Sequence, residues 1–411
     1  MGKAHLPLSG MTVLDLSRLL PGPLCSMHLV EMGARVIKVE DTGMGDYART
    51  LGAQKGSASP MFQLLNRNKE SISVDLTKPE GLEIVLKLVE QSDVVLESFR
   101  PGVMDKLGLG YDKLKSINPK IVVCAISGFG QTGPWALKAG HDMNYCATSG
   151  LLDQVGSAES GPVLSNFQIA DIAGGALSAA MAIVAGLLGA ERQGEGCYLD
   201  ISMTDCAFAN NMIPMSYFNA TGKSPRRGQD LLTGGVPCYR LYETQDGRHM
   251  AVGSLELKFR QQVCEILGQP EWAAAYGDFM GAATNPEKLQ KTKTIEKEVE
   301  DLFKSQPQSH WRELFADSDC CVTPILNMQE VFEHPQLLAR EMIQELNVTA
   351  NDKVLGPAPA IKYGAQSVDA EKILNEQAGP DQGEHTLAIL RELSFGQDQI
   401  DQLTEKRVVK F

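Results

Sequence analysis

The chain is poor in aromatic residues, which make up 6% of its 411 positions, and it has no excess of positive charge. Lys and Arg number 38 against 51 Asp and Glu, a formal charge of −13. A nucleic-acid partner demands a dense basic surface, so that class is set aside. A small polyanion is not, because it needs only a local cluster of Lys, Arg and backbone N–H groups. Nine cysteines include no CxxC pair, and Cys320 and Cys321 are adjacent. That spacing suits neither a zinc site nor a disulfide framework and reads as reduced thiols in a cytoplasmic setting. Met1 to Gly10 holds no apolar signal core. There is no GxxxxGK[ST], no GxGxxG after an early strand, no HExxH and no GxSxG. Nucleotide triphosphates, nicotinamide dinucleotides, zinc hydrolysis and the usual serine hydrolase are thereby disfavoured, and no metal is expected.

One long apolar run is present. Ile172 to Ala190 is uncharged over 19 positions, long enough to cross a membrane, but 11 of the 19 are Ala or Gly. Those residues contribute little to insertion, so a tightly packed, buried helix is expected there rather than a membrane span.

At 411 residues the chain exceeds a single core. Apolar segments at Met11–Leu16, Arg35–Glu40, Ser71–Leu76, Asp93–Glu97, Ile121–Ser127 and Cys197–Ser202 read as strands. Between them, Leu24–Met32 follows a turn at Pro21–Gly22–Pro23 and ends at Gly33 as a helix. Pro79–Gln91, Gly102–Leu107 and Tyr111–Ile117 also read as helices. This alternation predicts an α/β fold with a doubly wound, mostly parallel sheet. A further helix is expected over Thr204–Phe218, and composition shifts near Thr221–Gly235. The predicted organisation is a large domain from residues 1–222, a smaller α+β domain over 223–330, and a return segment, 331–411. In the second domain Tyr239–Glu243 and Arg248–Val252 form a hairpin about Asp246–Gly247. Two short helices, Glu384–Leu393 and Gln397–Glu405, close the chain.

The chemistry-bearing residues are local. His141 follows the glycine-rich loop Gly128–Gly140; alone it reads as a structural histidine. Asp171 precedes the Ala/Gly helix; alone it reads as an N-cap, a place where the helix dipole keeps a carboxylate ionised. Glu256 is either a surface residue at a strand end or a buried acid/base.

Together these segments resemble a known family across nearly the whole chain. Leu8–Pro23, Val36–Glu40, Asn66–Leu76, Glu97–Gly110 (ESFRPGVMDKLGLG), Ser127–Pro134 (SGFGQTGP) and Gly140–Tyr145 (GHDMNY) resemble the class III coenzyme A transferases. That family includes the α-methylacyl-CoA racemases. The likeness continues through Asp171, Gly194–Asp205, Gly234–Tyr242, Asp246–Gly253, Cys321–Pro324 and Gly383–Leu393.

The resemblance implies an acyl-CoA substrate, an interlocked homodimer, and no cofactor beyond the coenzyme A moiety. In racemases of this type the residues matching His141 and Asp171 exchange the proton at C2 of a 2-methyl or 2-aryl acyl-CoA. The glutamate matching Glu256 orients the histidine. Two groups are needed because the enolate is planar and inversion returns a proton to its opposite face. Donors at the helix N-terminus after Asp171 are expected to meet the enolate oxygen. The alternative is a CoA-transferase in which Asp171 is the covalent nucleophile. Residues Gly253–Ser254–Leu255–Glu256 lack the glycine-rich flap expected of a formyl-CoA transferase, which favours the racemase. Against the pattern, Leu257 stands where racemases have proline, and Asp41 stands where several relatives have a phosphate-contacting arginine. The coenzyme A contacts implied are Leu19, Leu76, Thr77, Ser98, Phe99, Arg100, Lys106 and Tyr145. Arg67, Lys69, Arg100 and Lys106 are candidates for the phosphate. Arg18, Lys38, Arg49, Arg226 and Arg227 are read as solvated surface charges.

Overall fold

The computed structural model describes residues 6–157, 159–278, 285–349, 352–363 and 377–411. They form two compact units. The first takes residues 1–150, 165–211 and 336–411, and the second takes 151–164 and 212–335. The divisions therefore fall at 211/212 and 335/336 rather than at 222/223 and 330/331, and a short excursion, 151–164, goes with the second unit.

The first unit is α/β. Strands β1 (Thr12–Asp15), β2 (Arg35–Glu40), β3 (Glu70–Val74), β4 (Val94–Glu97), β5 (Val122–Ser127), β6 (Tyr198–Ser202) and β7 (Val409–Lys410) make one sheet. Its order is β7-β3-β2-β1-β4-β5-β6. All neighbours are parallel except β7, which pairs antiparallel with β3. The chain winds outward from β1 to β3 on one side, then from β4 to β6 on the other. The direction reverses between β1 and β4, where a doubly wound sheet opens a crevice at its carboxyl edge.

Alternation sorts the strand residues between two faces. Leu14, Ile37, Val39, Ile72, Val74, Val95 and Val123 share one core with Ile84 and Leu88 of the helix Pro79–Glu90. Ile389, Leu390, Ile400 and Leu403 near the C-terminus complete that core. The opposite face is polar towards its carboxyl end, and this departs from the reading of Lys38 and Arg49 as surface charges. Lys38 is fully buried and pairs with Asp46 at 2.8 Å, and Arg49 is buried against Glu40 at 2.6 Å. Lys69 reaches Asp15 at 3.4 Å, with neither side chain exposed. Burial opposes a charge on Asp15, but Lys69, Lys38 and the hydroxyls of Ser17 and Ser26 hold its carboxyl below the usual range. Lys69 itself is pushed down to about 8 by burial, against the pull of Asp15.

Pro21, expected in a turn, instead opens the helix α1 (Pro21–Glu31). A proline at the first helical position costs nothing, because that N–H has no intrahelical partner. Gly22 is required there, since a Cβ would lie 2.2 Å from that of Ser17.

The Ala/Gly run is helical over Ala170–Gln193 (α3), with a π-helical start at Ala170–Leu177. It is long and apolar enough to cross a membrane by length and composition alone, and only 39% of its most apolar window is buried. The expectation of a tightly packed, buried helix holds for one face only. Ala179, Ala180, Ile183 and Leu187 are buried, whereas Leu177, Met181, Val184 and Leu188 lie open on the other face. The helix foreseen over Thr204–Phe218 breaks at Asn211 into Met203–Asn210 and Met212–Thr221, and the unit boundary falls at that break.

The second unit has a three-stranded antiparallel sheet, with His249–Gly253 between Tyr239–Glu243 and Val322–Pro324. Helix Pro286–Lys304 buries Ile295, Val299 and Phe303. Phe303 stacks on Tyr242 at 4.9 Å and meets Trp311 at 4.8 Å, which sets the centre of that core.

Candidate active site

In a parallel sheet the loops that follow the strands gather at one edge. Leu19 follows β1, Leu76 and Thr77 follow β3, and Ser98, Phe99 and Arg100 follow β4. The glycine loop that follows β5 leads to His141. Helix α3 runs back towards the amino edge to feed β6, so its first residues, including Asp171, also lie at the carboxyl edge. The topology alone brings His141 and Asp171 to the same rim.

A third residue joins them. His141 precedes helix α2 (Asp142–Thr148), its N–H donating to Asn144 Oδ1 at 3.0 Å. The next residue, Asp142, is buried, and its Oδ1 accepts the backbone N–H of Ala170 at 2.7 Å and of Asp171 at 3.0 Å. The carboxylate of one segment thus caps the helix of the other. Asp171 is not the N-cap that its position in the sequence implied; Asp142, 29 residues earlier, does that work.

This arrangement bears on two expectations. The first concerns charge. Asp171 is half-buried, and burial followed by the neighbouring Asp142 carboxylate pushes its carboxyl up to about 7. The leading amides of the helix are turned to Asp142 rather than to Asp171. The second concerns the enolate oxygen. The N–H groups of Ala170 and Asp171 are occupied by Asp142, and that of Ile172 donates to Gln168 O at 2.8 Å. None of these three is free to stabilise an oxyanion.

The imidazole of His141 is exposed, and among the described residues it makes no side-chain hydrogen bond. Glu256 belongs to the second unit, where it is exposed at the start of helix Leu257–Ile266 without a capping bond. It is therefore not a buried acid within its own unit, and its part in catalysis rests on the resemblance alone. The second unit also holds a cleft of about 1240 Å³, bordered by Gly234, Gly235, Gly253 and Arg240. Arg240 is paired with Glu296 at 2.7 Å and Glu300 at 3.1 Å.

The expected coenzyme A contacts differ in character. Leu19 is held in the left-handed region (φ 66°) by an N–H bond to Asp46 Oδ1 at 3.0 Å. Leu76 packs on the main core, and the exposed Thr77 turns its N–H and hydroxyl onto Asp75. Ser98 Oγ lies 3.4 Å from the Arg18 amide. The Phe99 N–H donates at 2.6 Å to Glu97, a buried carboxyl pushed up to about 7 by burial and then by Asp200. Arg100 and Lys106 are exposed. Arg67 and Lys69, both candidates for the phosphate, are buried in pairs with Glu31 and Asp15 and are closed to a ligand.

Tyr145 is buried, and its hydroxyl donates to Gly140 O at 2.5 Å. A Cβ on Gly128 would come within 2.3 Å of its ring, which fixes that glycine. Burial, then the Asp171 charge, pushes the phenol up to about 12. Its hydroxyl is therefore neutral and committed to the loop.

Sequence reasoning passed over Asp142 as a working residue, although it stands in the GHDMNY segment, and it passed over Glu97 in ESFRPG. For Glu97 the available signal is a carboxylate closing an otherwise apolar segment, DVVLE, since burial of such a group requires partners.

Comparison with known proteins gives the family of the chain. The model of CoA-transferase family III matches residues 8–386. Human alpha-methylacyl-CoA racemase is 32% identical over 98% of each chain. Human succinyl-CoA:glutarate CoA-transferase is 34% identical over 98% of this chain and 90% of its own. Among solved structures, a CAIB/BAIF family protein from Brucella suis superposes with a TM-score of 0.81. It is 30% identical over 95% of this chain and 100% of its own. The chain belongs to CoA-transferase family III.

Proposed function

We propose that the protein epimerises 2-methyl or 2-aryl acyl-CoA thioesters, with His141 and Asp171 exchanging the proton at C2. The observation that carries this reading is the Asp142 bridge, which ties the residue after His141 to the backbone of Asp171. A second support is the Asp171 carboxyl at about 7, because an acid/base works best with a pKa near the working pH. One face of C2 loses its proton to one group while the other group returns a proton to the opposite face. Proton exchange of this kind calls for no metal or redox group, so the coenzyme A of the substrate is the sole cofactor proposed. A reducing, cytoplasmic compartment suits the free thiols.

A second reading is a CoA-transferase with Asp171 as nucleophile. It is favoured by the 34% identity to the glutarate transferase. A carboxyl near 7 is only partly ionised at neutral pH, which weighs against it as a nucleophile.

The test uses a chiral 2-methylacyl-CoA in deuterated water, with C2 followed by NMR. Epimerisation gives deuterium uptake and loss of optical purity with no acceptor acid, and His141→Ala abolishes both. Turnover that appears only after adding a second carboxylic acid, with an Asp171 adduct released by hydroxylamine, establishes transfer instead.

We also propose that the active form is a homodimer. Leu177, Met181, Val184 and Leu188 are 48%, 72%, 36% and 47% exposed at helical spacing, an apolar stripe suited to a second copy.

A further inference from the structure

We propose that Arg18 recognises the ribose phosphate of coenzyme A, and that Asp41 is the partner it releases on binding. This proposal rests on the acyl-CoA reading above and assigns its nucleotide end.

Three loops surround the crevice at the switch between β1 and β4. They follow β1, β2 and β4, adjacent strands in the sheet. Arg18 comes from the first, Asp41 from the second and Phe99 from the third. The guanidinium lies 5.3 Å from the centre of the Tyr47 ring and 5.7 Å from that of Phe99. Its NH1 donates to the Tyr47 hydroxyl at 3.2 Å, and NH2 faces Asp41 Oδ2 at 3.5 Å. Two aromatic rings thus hold a planar cation in place before any ligand arrives, which lowers the entropy lost on binding.

The Asp41 contact is long and open: the two side chains are 32% and 40% exposed. An ion pair at that exposure is worth little and exchanges readily. A phosphate monoester carries about −1.5 to −2 charges at neutral pH and presents oxygens to both arms of a guanidinium. It can therefore displace a single carboxylate, whereas a singly charged oxygen of the pyrophosphate has a smaller advantage. Asp41 stays tethered when released, because Oδ1 accepts the N–H of Gly43 at 2.8 Å and of Gly45 at 3.1 Å.

The other cations of this edge are differently placed. Lys38, Arg49, Arg67 and Lys69 are buried in pairs, and Lys78 is bound to the carbonyls of Lys406 and Arg407. Arg100 and Lys106 are exposed, and among the described residues neither has a ring or hydroxyl to fix it. They suit a diffuse role along the pyrophosphate. Arg18 alone of this group is held by two rings and a hydroxyl, beside Asp41 on the loop of the neighbouring strand.

The test is calorimetric binding of coenzyme A and of dephospho-coenzyme A, which lacks the ribose phosphate, to the full chain. The unchanged protein is expected to prefer coenzyme A by about tenfold, the scale of one charge-assisted contact. Arg18→Gln should lose that preference by weakening coenzyme A alone, with dephospho-coenzyme A held within about twofold as the control for folding. Asp41→Asn keeps the Oδ1 acceptor and should tighten coenzyme A about threefold without changing its dephospho form. Equal binding of both ligands by the unchanged protein overturns this assignment and leaves the acyl-CoA reading standing. So does an Arg18→Gln protein that still prefers coenzyme A, or that weakens both alike. Binding of neither ligand by the unchanged protein overturns the acyl-CoA reading and this one with it.

Discussion

Near pH 7 the Asp171 carboxyl is divided between its acid and base forms, and Asp142 is one reason. Asp142→Asn keeps an oxygen for the two amides at 2.7 and 3.0 Å and removes the negative charge. The Asp171 pKa should then fall, so the rise in C2 deuterium exchange with pH begins at lower pH than in the parent. A pH profile of that exchange decides it; an unmoved profile removes Asp142 from the electrostatics of the site. Stability should answer in the same way. The folded-state value of about 7 stands above the ordinary 3.8. Below 3.8 both states hold the proton and the full stability is present. As pH rises towards 7, the unfolded chain releases its proton while the folded chain keeps it, and stability falls. Asp171→Asn removes that slope. It should leave the protein more stable than the parent at pH 8, on the order of 1 kcal/mol after allowing for solvent screening, and inactive. Urea unfolding at pH 5 and pH 8 measures the difference.

Strand β2 carries the element-scale argument. Its polar face places Lys38 at the centre of a buried group, bonded to Asp46 at 2.8 Å and to Ser17 O at 3.0 Å. Asp46 in turn holds the Leu19 amide, so the loop after β1 depends on this strand. Lys38→Ala leaves Asp46 and Asp15 short of a counter-charge and should cost about 3–5 kcal/mol, read from the urea midpoint. A loss below about 1 kcal/mol would mean that water or Lys69 replaces it. Much at this scale is legible in the sequence. Arg35–Glu40, Tyr111–Ile117, Tyr239–Glu243 and Gln397–Glu405 stand where periodicity and the Asp246–Gly247 turn put them. Lys38 reads as a surface charge because an isolated Lys in RVIKVE carries no sign of partners 8 and 23 residues away. The two-residue strand Val409–Lys410 was invisible because its antiparallel pairing with β3 lies 335 positions from Val74 in the chain (409 − 74). Asp142 escaped for a related reason: its partners are backbone amides, which leave no mark in the residue types around it. The family pattern points to His141 and Asp171, while the link between them is a property of the fold.

For the whole molecule, the open face of α3 is an unmet demand among the described residues. Leu177, Met181, Val184 and Leu188 recur at intervals of four, three and four, the spacing by which one helix packs on another. The opposite face of the same helix is buried, so the stripe cannot be satisfied by turning the helix. A second copy that covers it makes folding and association one event, and mass action then ties stability to concentration. The unfolding midpoint should rise by several degrees between about 1 and 100 μM chain, while sedimentation at both concentrations gives twice the 44.6 kDa of one chain. Met181→Glu places a charge on the most exposed member of the stripe. It should lower the midpoint most at high concentration, because the penalty falls on the associated form. A chain that sediments at 44.6 kDa, with a midpoint independent of concentration and untouched by Met181→Glu, would show that α3 faces water in the working protein.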